Sequence, residues 1–317
     1  MGFELALLRY NEEMKRTSKQ KSAPIGASLV VLSSLFYASY GIWTELMGDF
    51  FDGYTASAVR SILVLLILIP LALTYRQLEP LNLRRNWRYL VGLVLTATLI
   101  WGPFYYAILH AGVGISLAIN YAGMMIGMFF FGWLLAGEQF TKYKWFSAFL
   151  GLLGLWLVFM PSISSLGWLA LVGALISGLS SAAHYVIAKR VSYKATQSTI
   201  FVWTASVVAN IPMAFLLGER TPAVGWHVQW LYLVIFAIAS VISTWTFIKG
   251  VKLIDAGAAG ILGLLEIVFG LIFGVIFFSE RPGLVVFFGV VVIITAAAIP
   301  YLQEYNAKRG MPEETKS

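Results

Sequence analysis

Cysteine is absent from the 317 residues, which excludes disulfides, thiolate nucleophiles and cysteine-based metal sites. Charge is scarce too. Only 12% of residues are Asp, Glu, Lys or Arg, against roughly 25% in water-soluble domains. The three histidines, His110, His184 and His227, lie too far apart for a His-Glu-x-x-His metal site. The three aspartates, Asp49, Asp52 and Asp255, fall near the ends of apolar runs, so no pair of facing catalytic aspartates is available. No Gly-x-x-x-x-Gly-Lys-Ser/Thr loop occurs, and no polar segment is long enough to fold a nucleotide domain. Enzymes and ATP-driven pumps are left without the residues they need. No cofactor or metal is implied.

What the chain has in abundance is apolar length: 59% of residues are hydrophobic and the mean hydropathy is +0.81. A helix crosses the hydrocarbon core with about 20 mostly apolar residues. Such stretches are read at 24–46, 56–75, 88–109, 114–136, 144–161, 166–188, 197–217, 229–250, 256–278 and 283–302. They are continuously apolar rather than alternating, which argues against a β-barrel. The fold expected is an all-α integral membrane protein with ten transmembrane helices. The tails, 1–23 and 303–317, are expected in the cytoplasm, and the first has no basic-then-apolar order of a signal peptide.

The formal charge of +7 has its own cause. With the N-terminus inside, 19 of the 22 basic residues fall in cytoplasmic segments, as retention of Lys and Arg during insertion demands. Arg220 and Arg281 fall outside, and Arg60 lies within a span. The asymmetry predicts a multi-pass protein of the inner or plasma membrane with both termini cytoplasmic. Nucleic acid is not needed as a partner; the lipid bilayer is.

The two halves repeat. Ile69-Pro70-Leu71-Ala72-Leu73 matches Ile211-Pro212-Met213-Ala214-Phe215. Ala111-Gly112 and Ala256-Gly257 each open an apolar span that closes on Gly137-Glu138 or Ser279-Glu280, and Pro161 and Pro300 end the halves. Each half, 24–161 and 162–302, holds five spans. An odd number inverts the second half relative to the first, the arrangement that lets two copies exchange conformations around a central site.

These features resemble the drug/metabolite transporter superfamily in its ten-helix EamA-type branch. The resemblance runs from about Ala23 to Tyr301. It rests on the five-plus-five count, Arg60 early in the second helix, the Gly/Ser-Glu ends of helices 4 and 9, and Leu264-Leu265-Glu266-Ile267-Val268 followed by Glu280-Arg281. It implies a basket of ten helices and solute export or uptake, with substrates ranging over amino acids, metabolites and drugs. A proline common after the Glu266 position is replaced by Ile267 and, in the first half, by Met125. That removes the sequence reason for a break in either helix.

Glu266 lies near the bilayer centre, where an acidic side chain costs about 2.5–3.5 kcal/mol to insert. It is expected to bind a cationic group of a solute, to carry a coupled proton, or to serve as a hydrogen-bonded packing residue. Arg60 either holds a carboxylate, or snorkels or pairs with Glu45, Asp49 or Asp52. Tyr37, Tyr40, Trp101, Tyr105, Tyr121, Trp203 and Trp245 lie deeper than an interfacial belt, and either line a solute cavity or pack. His184 is a gate residue or a satisfied polar residue. Asn120, Ser180 and Asn210 add polar groups inside spans. Gly123-xxx-Gly127 and Gly270-xxx-Gly274 allow close backbone approach, within the monomer or in a homodimer. The function expected is a secondary transporter of small organic metabolites, amino acids with aromatic ones among them, working by alternating access. A multidrug exporter of the same fold and a channel or receptor-like protein are the alternatives.

Overall fold

The structure is a computed structural model that describes residues 22–309 except 81, 112, 161–167, 221, 223 and 224. The side chains at 83, 101, 102, 105, 109, 113 and 301–309 lie outside that description. Among the described residues the chain is helical, without strands. The segments are α1 (Ser22–Phe50), α2 (Gly53–Thr74), α3 (Leu83–Ala111), α4 (Val113–Ala136), α5 (Lys142–Phe159), α6 (Trp168–Arg190), α7 (Ala195–Leu216) and α8 (Val228–Leu253). They are followed by α9 (Ala256–Phe278) and α10 (Leu284–Arg309). Of these, α1, α2, α4, α6, α7, α8 and α9 are long and apolar enough to cross a membrane, and α10 carries a shorter apolar stretch. α3 starts five residues before its expected span because Arg84, Arg85, Trp87 and Arg88 continue the helix beyond the apolar part.

Lipid gives helices no hydrophobic reason to associate, so close contact rests on small residues and interhelical hydrogen bonds. α6 buries Ala170, Gly173, Ala174, Ser177, Gly178 and Ala182 at helical spacing. A Cβ on Gly173 would lie 2.7 Å from the Pro103 carbonyl of α3, and one on Gly127 of α4 would lie 2.6 Å from the Ala182 methyl. α3, α4 and α6 are therefore one tight bundle. The second half repeats it with α8, α9 and α1. A Cβ on Gly26 would lie 3.2 Å from the Gly250 carbonyl, and Ala27 and Val30 pack with Ala258, Ala259 and Leu262. Ser33 Oγ donates to the Ser243 carbonyl (2.9 Å), as Ser177 Oγ does to that of Ile100 (2.7 Å).

Two helix pairs join corresponding helices of the two matched segments. α5 meets α10 where Ser147 Oγ donates to the Ala296 carbonyl, and where Gly154 and Gly289 bring their backbones together. α2 meets α7 through Asn210 Nδ2 to Ser57 Oγ (2.9 Å). This pair is tied at both ends. Glu219 accepts from the Tyr54 and Thr55 amides at one end, and Gln197 brackets the Glu79 backbone at the other.

Two helices are interrupted. In α1, Ser39 Oγ donates to the Phe36 carbonyl (2.6 Å), the kind of side-chain bond that competes with the helical ladder. In α9 the break falls at Leu264, where Leu264 N bonds to Ile261 O and Ile267 N to Leu264 O over three residues instead of four. The proline that would give a sequence reason for this interruption is absent, and the interruption is present in α9 all the same, made by a short 3₁₀-type step.

Candidate functional site

Glu266 follows the break at Leu264 directly, as the second residue of the second half of α9. Its carboxyl and the Tyr121 hydroxyl of α4 lie within electrostatic reach of each other. The two side chains come from different repeats, on α9 and α4. Tyr40 and Tyr185 sit in the electrostatic field of both Glu266 and Arg60.

Arg60, on α2, is buried (4% exposed). Its guanidinium carbon lies 4.3 Å from the Phe236 ring centroid, 5.2 Å from that of Tyr40 and 5.6 Å from that of Trp203. Snorkelling is not what this arginine does. Of its sequence candidates for pairing, Asp52 is engaged elsewhere, with the backbone amide (2.7 Å) and guanidinium (2.9 Å) of Arg220. Aromatic faces stabilise a cation by about 0.5–2 kcal/mol each, more where water is excluded. The indole N–H of Trp203 is buried with no hydrogen-bond partner, a donor left open beside the guanidinium.

Two sets of hydroxyl hydrogen bonds lie near both charges. Tyr37 and Tyr185 share a 2.6 Å hydrogen bond, Tyr37 also reaches Thr244 (3.2 Å), and Tyr40 pairs with Ser243 (2.8 Å). Ser240, Ser243, Thr244 and Phe247 lie at helical spacing on α8, below Phe236. Tyr185, Phe236, Ser243 and Thr244 were not among the sequence candidates. The spacing 236-240-243/244-247 puts the α8 residues on a single helix face, but nothing in the sequence marks that face as the inward one.

Other candidates stand apart. His184 points toward α3, where its Nδ1 shares a 2.7 Å hydrogen bond with Thr96 Oγ1. Its neighbour Tyr185, rotated by about 100° on the helix, is the residue that joins the cluster. Asn120 donates to Ser177 Oγ (2.7 Å), stitching α4 to α6. Trp245 Nε1 donates to Thr196 Oγ1 (3.1 Å), and its ring carries Lys249 at 4.5 Å. Trp101 and Tyr105 lie on α3, with side chains outside the described residues. Gly123 and Gly127 are used within the monomer, against Leu175, Leu179 and Ala182 of α6; Gly270 has open space around it.

Two apolar grooves lie elsewhere. One of ≈ 680 Å³ separates α4 from α5 between Phe129, Phe130, Trp133 and Trp145; one of ≈ 420 Å³ separates α1 from α9 near Leu35 and Phe269. Neither includes Glu266 or Arg60. Among the described residues no cluster of His, Asp and Glu could hold a metal ion.

The sequence profile of the EamA-like transporter family matches residues 24–160 and again 168–302. No curated protein matches. Solved structures do. A crystal structure of a protein superposes with a TM-score of 0.76 at 16% identity, covering 90% of this chain and 99% of that one. At that identity the likeness speaks for the fold alone.

Proposed function

Since the chain belongs to the EamA-like transporter family, we propose that it is a secondary carrier of small organic solutes with the Glu266–Arg60 cluster as its binding site. The observation that carries this reading is an acid and a base inside the helix bundle, on α9 and α2, with hydroxyls and aromatic faces near both. Intramembrane charges are costly and persist where they face a solute or ion path. The solute class the cluster fits carries an ammonium, taken by Glu266 and Tyr121, and a carboxylate, taken by Arg60 and the open Trp203 indole. Aromatic amino acids fit this description, their rings lying among Tyr37, Tyr40 and Phe247.

All ten helices cross the cell membrane, with 24–161 and 162–302 as inverted halves and both tails cytoplasmic. The carrier alternates access around the cluster. Glu266 exchanges its solute contact for a proton, which couples transport to a pH gradient.

The test is flux of radiolabelled solutes into proteoliposomes, across amino acids and other metabolites, with and without a pH gradient. Saturable flux that follows the gradient and loses that dependence in Glu266→Gln supports proton coupling at Glu266. Saturable flux indifferent to pH assigns Glu266 to solute binding only. The absence of saturable flux for every amino acid and metabolite tried would refute the substrate class.

A further inference from the structure

Contacts between corresponding helices of the two repeats can persist through an exchange of the repeats, while contacts present at one end only cannot. α2–α7 and α5–α10 are of the first kind. α2 and α7 are held at both ends, and α5 and α10 meet through two equivalent contacts, Ser147 with Ala296 and Gly289 with Gly154. The junction between the α3–α4–α6 bundle and the α8–α9–α1 bundle is of the second kind.

At one end that junction is latched. Glu138, just beyond α4, is 8% exposed. One carboxylate oxygen accepts from the Ala256 amide at the head of α9 (2.7 Å), and the other pairs with Lys189 Nζ at the end of α6. Lys189 also donates to the Ile254 carbonyl (2.7 Å), and Lys252 of α8 donates to the Val191 carbonyl (2.9 Å). Every one of these bonds but the Glu138–Lys189 pair runs from one bundle to the other.

The repeat places the same hook at the opposite end. Glu138 N bonds to the Gly132 carbonyl (3.0 Å), turning the chain so that the carboxylate lies over that glycine; Glu280 N bonds to the Gly274 carbonyl (3.1 Å), and its carboxylate lies over Gly274. The turn residues Gly137 and Ser279 both have positive φ, 66° and 56°. Yet Glu280 is exposed and has no partner among the described residues. Among the described residues, the cluster that buries Ala111 and Ile115 near the head of α4 contains no residue of α9.

We propose that Glu138 and Glu280 are alternating latches: Glu138 closes one end of the carrier by capping α9, and Glu280 closes the other by capping the head of α4 when Glu138 lets go. The structure is the Glu138-latched state. The assignment rests on the carrier reading above, and makes both glutamates positioning residues, neither touching solute.

The test uses the full-length chain, whose lack of cysteine allows site-specific spin labelling. Gln139→Cys with Lys249→Cys reports the Glu138 end; His110→Cys with Arg281→Cys reports the Glu280 end. Removing the charge at Glu138 weakens two charge-assisted bonds, so Glu138→Gln should shift the ratio of the two states by about tenfold or more. The 139–249 distance should then lengthen as the 110–281 distance shortens. Glu280→Gln should do the reverse, depleting whatever open-at-Glu138 population the parent shows. If Glu138→Gln does not remain monodisperse, Lys189→Met replaces it with the same expectation.

Lengthening at 139–249 without shortening at 110–281 overturns the proposal, as do distances unmoved by both variants. Flux measured in parallel separates the two readings. Reciprocal distances without transport keep the latches and remove the solute assignment; saturable transport with unresponsive distances removes the latches alone.

Discussion

The tightest constraint on the site is a glycine that touches none of its groups. Gly178 of α6 lies against α4, where a Cβ would sit 2.8 Å from the Met124 amide nitrogen and closer still to the Asn120 carbonyl. Ordinary contact begins at 3.4 Å, so Gly178→Ala must part the helices by at least about 0.6 Å. Both obstructing atoms are backbone and have no rotamer with which to yield. Overpacking of this kind costs about 1–3 kcal/mol. Better helix propensity returns at most about 1 kcal/mol. The Asn120–Ser177–Ile100 hydrogen bonds are stretched by the same movement, each worth about 0.6 kcal/mol in a membrane bundle. The net expectation is a loss of roughly 1–3 kcal/mol, read as a lower temperature for half-loss of the monodisperse peak after heating in detergent. Gly270→Ala is the control, because no atom lies within 4 Å of its added methyl. It should be neutral or raise that temperature. Solute affinity should fall in Gly178→Ala only, since Tyr121 and Tyr185 sit on the two helices being parted. Equal melting temperatures for the two variants would refute the packing argument.

Three further outcomes are expected. Arg60→Lys keeps the charge but loses the planar face that stacks between Phe236, Tyr40 and Trp203; apparent solute affinity should drop by about 2–30-fold, and an unchanged value assigns the cage to packing. Tyr37→Phe and Tyr185→Phe each remove one partner of a 2.6 Å bond. Their effects on thermal stability should be non-additive, the double variant costing little more than either single one, whereas full additivity means that the hydroxyls act separately. The third concerns pH. Hydrogen bonds from Arg220 hold the Asp52 carboxyl below its ordinary 3.8. A carboxyl depressed by folding contributes stability above its unfolded value and loses it as pH falls through the folded one. The stability gap between the parent and Arg220→Ala should therefore be open at neutral pH and close as pH drops below about 4. A gap unchanged at pH 3 shows that Asp52 is not the group involved.

The cost of placing a residue in hydrocarbon is nearly additive along the chain. For that reason the apolar stretches, the asymmetry of Lys and Arg, and the repeat are all legible without a structure. Glu266 and Arg60 stand out for the same reason, each being a charge where a charge is expensive.

What surrounds them is not legible in this way. Lipid is as apolar as the bundle interior, so periodicity does not mark which face of a membrane helix turns inward. Only the folded chain decides that Tyr185 and not His184 joins the cluster, a choice of one residue and about 100°. It also decides that Arg60 rests on three rings while Asp52 goes to Arg220, and that Gly123 and Gly127 face α6 while Gly270 has open space around it among the described residues. The break at Leu264 shows the same limit: a three-residue hydrogen-bond step needs no proline. The sequence determines that the two halves are copies and that charges lie within the bundle. Which end carries the Glu138 bonds, and which groups share the charges, is settled by tertiary contacts between residues far apart in the chain, 51 positions for Glu138–Lys189 and 118 for Glu138–Ala256.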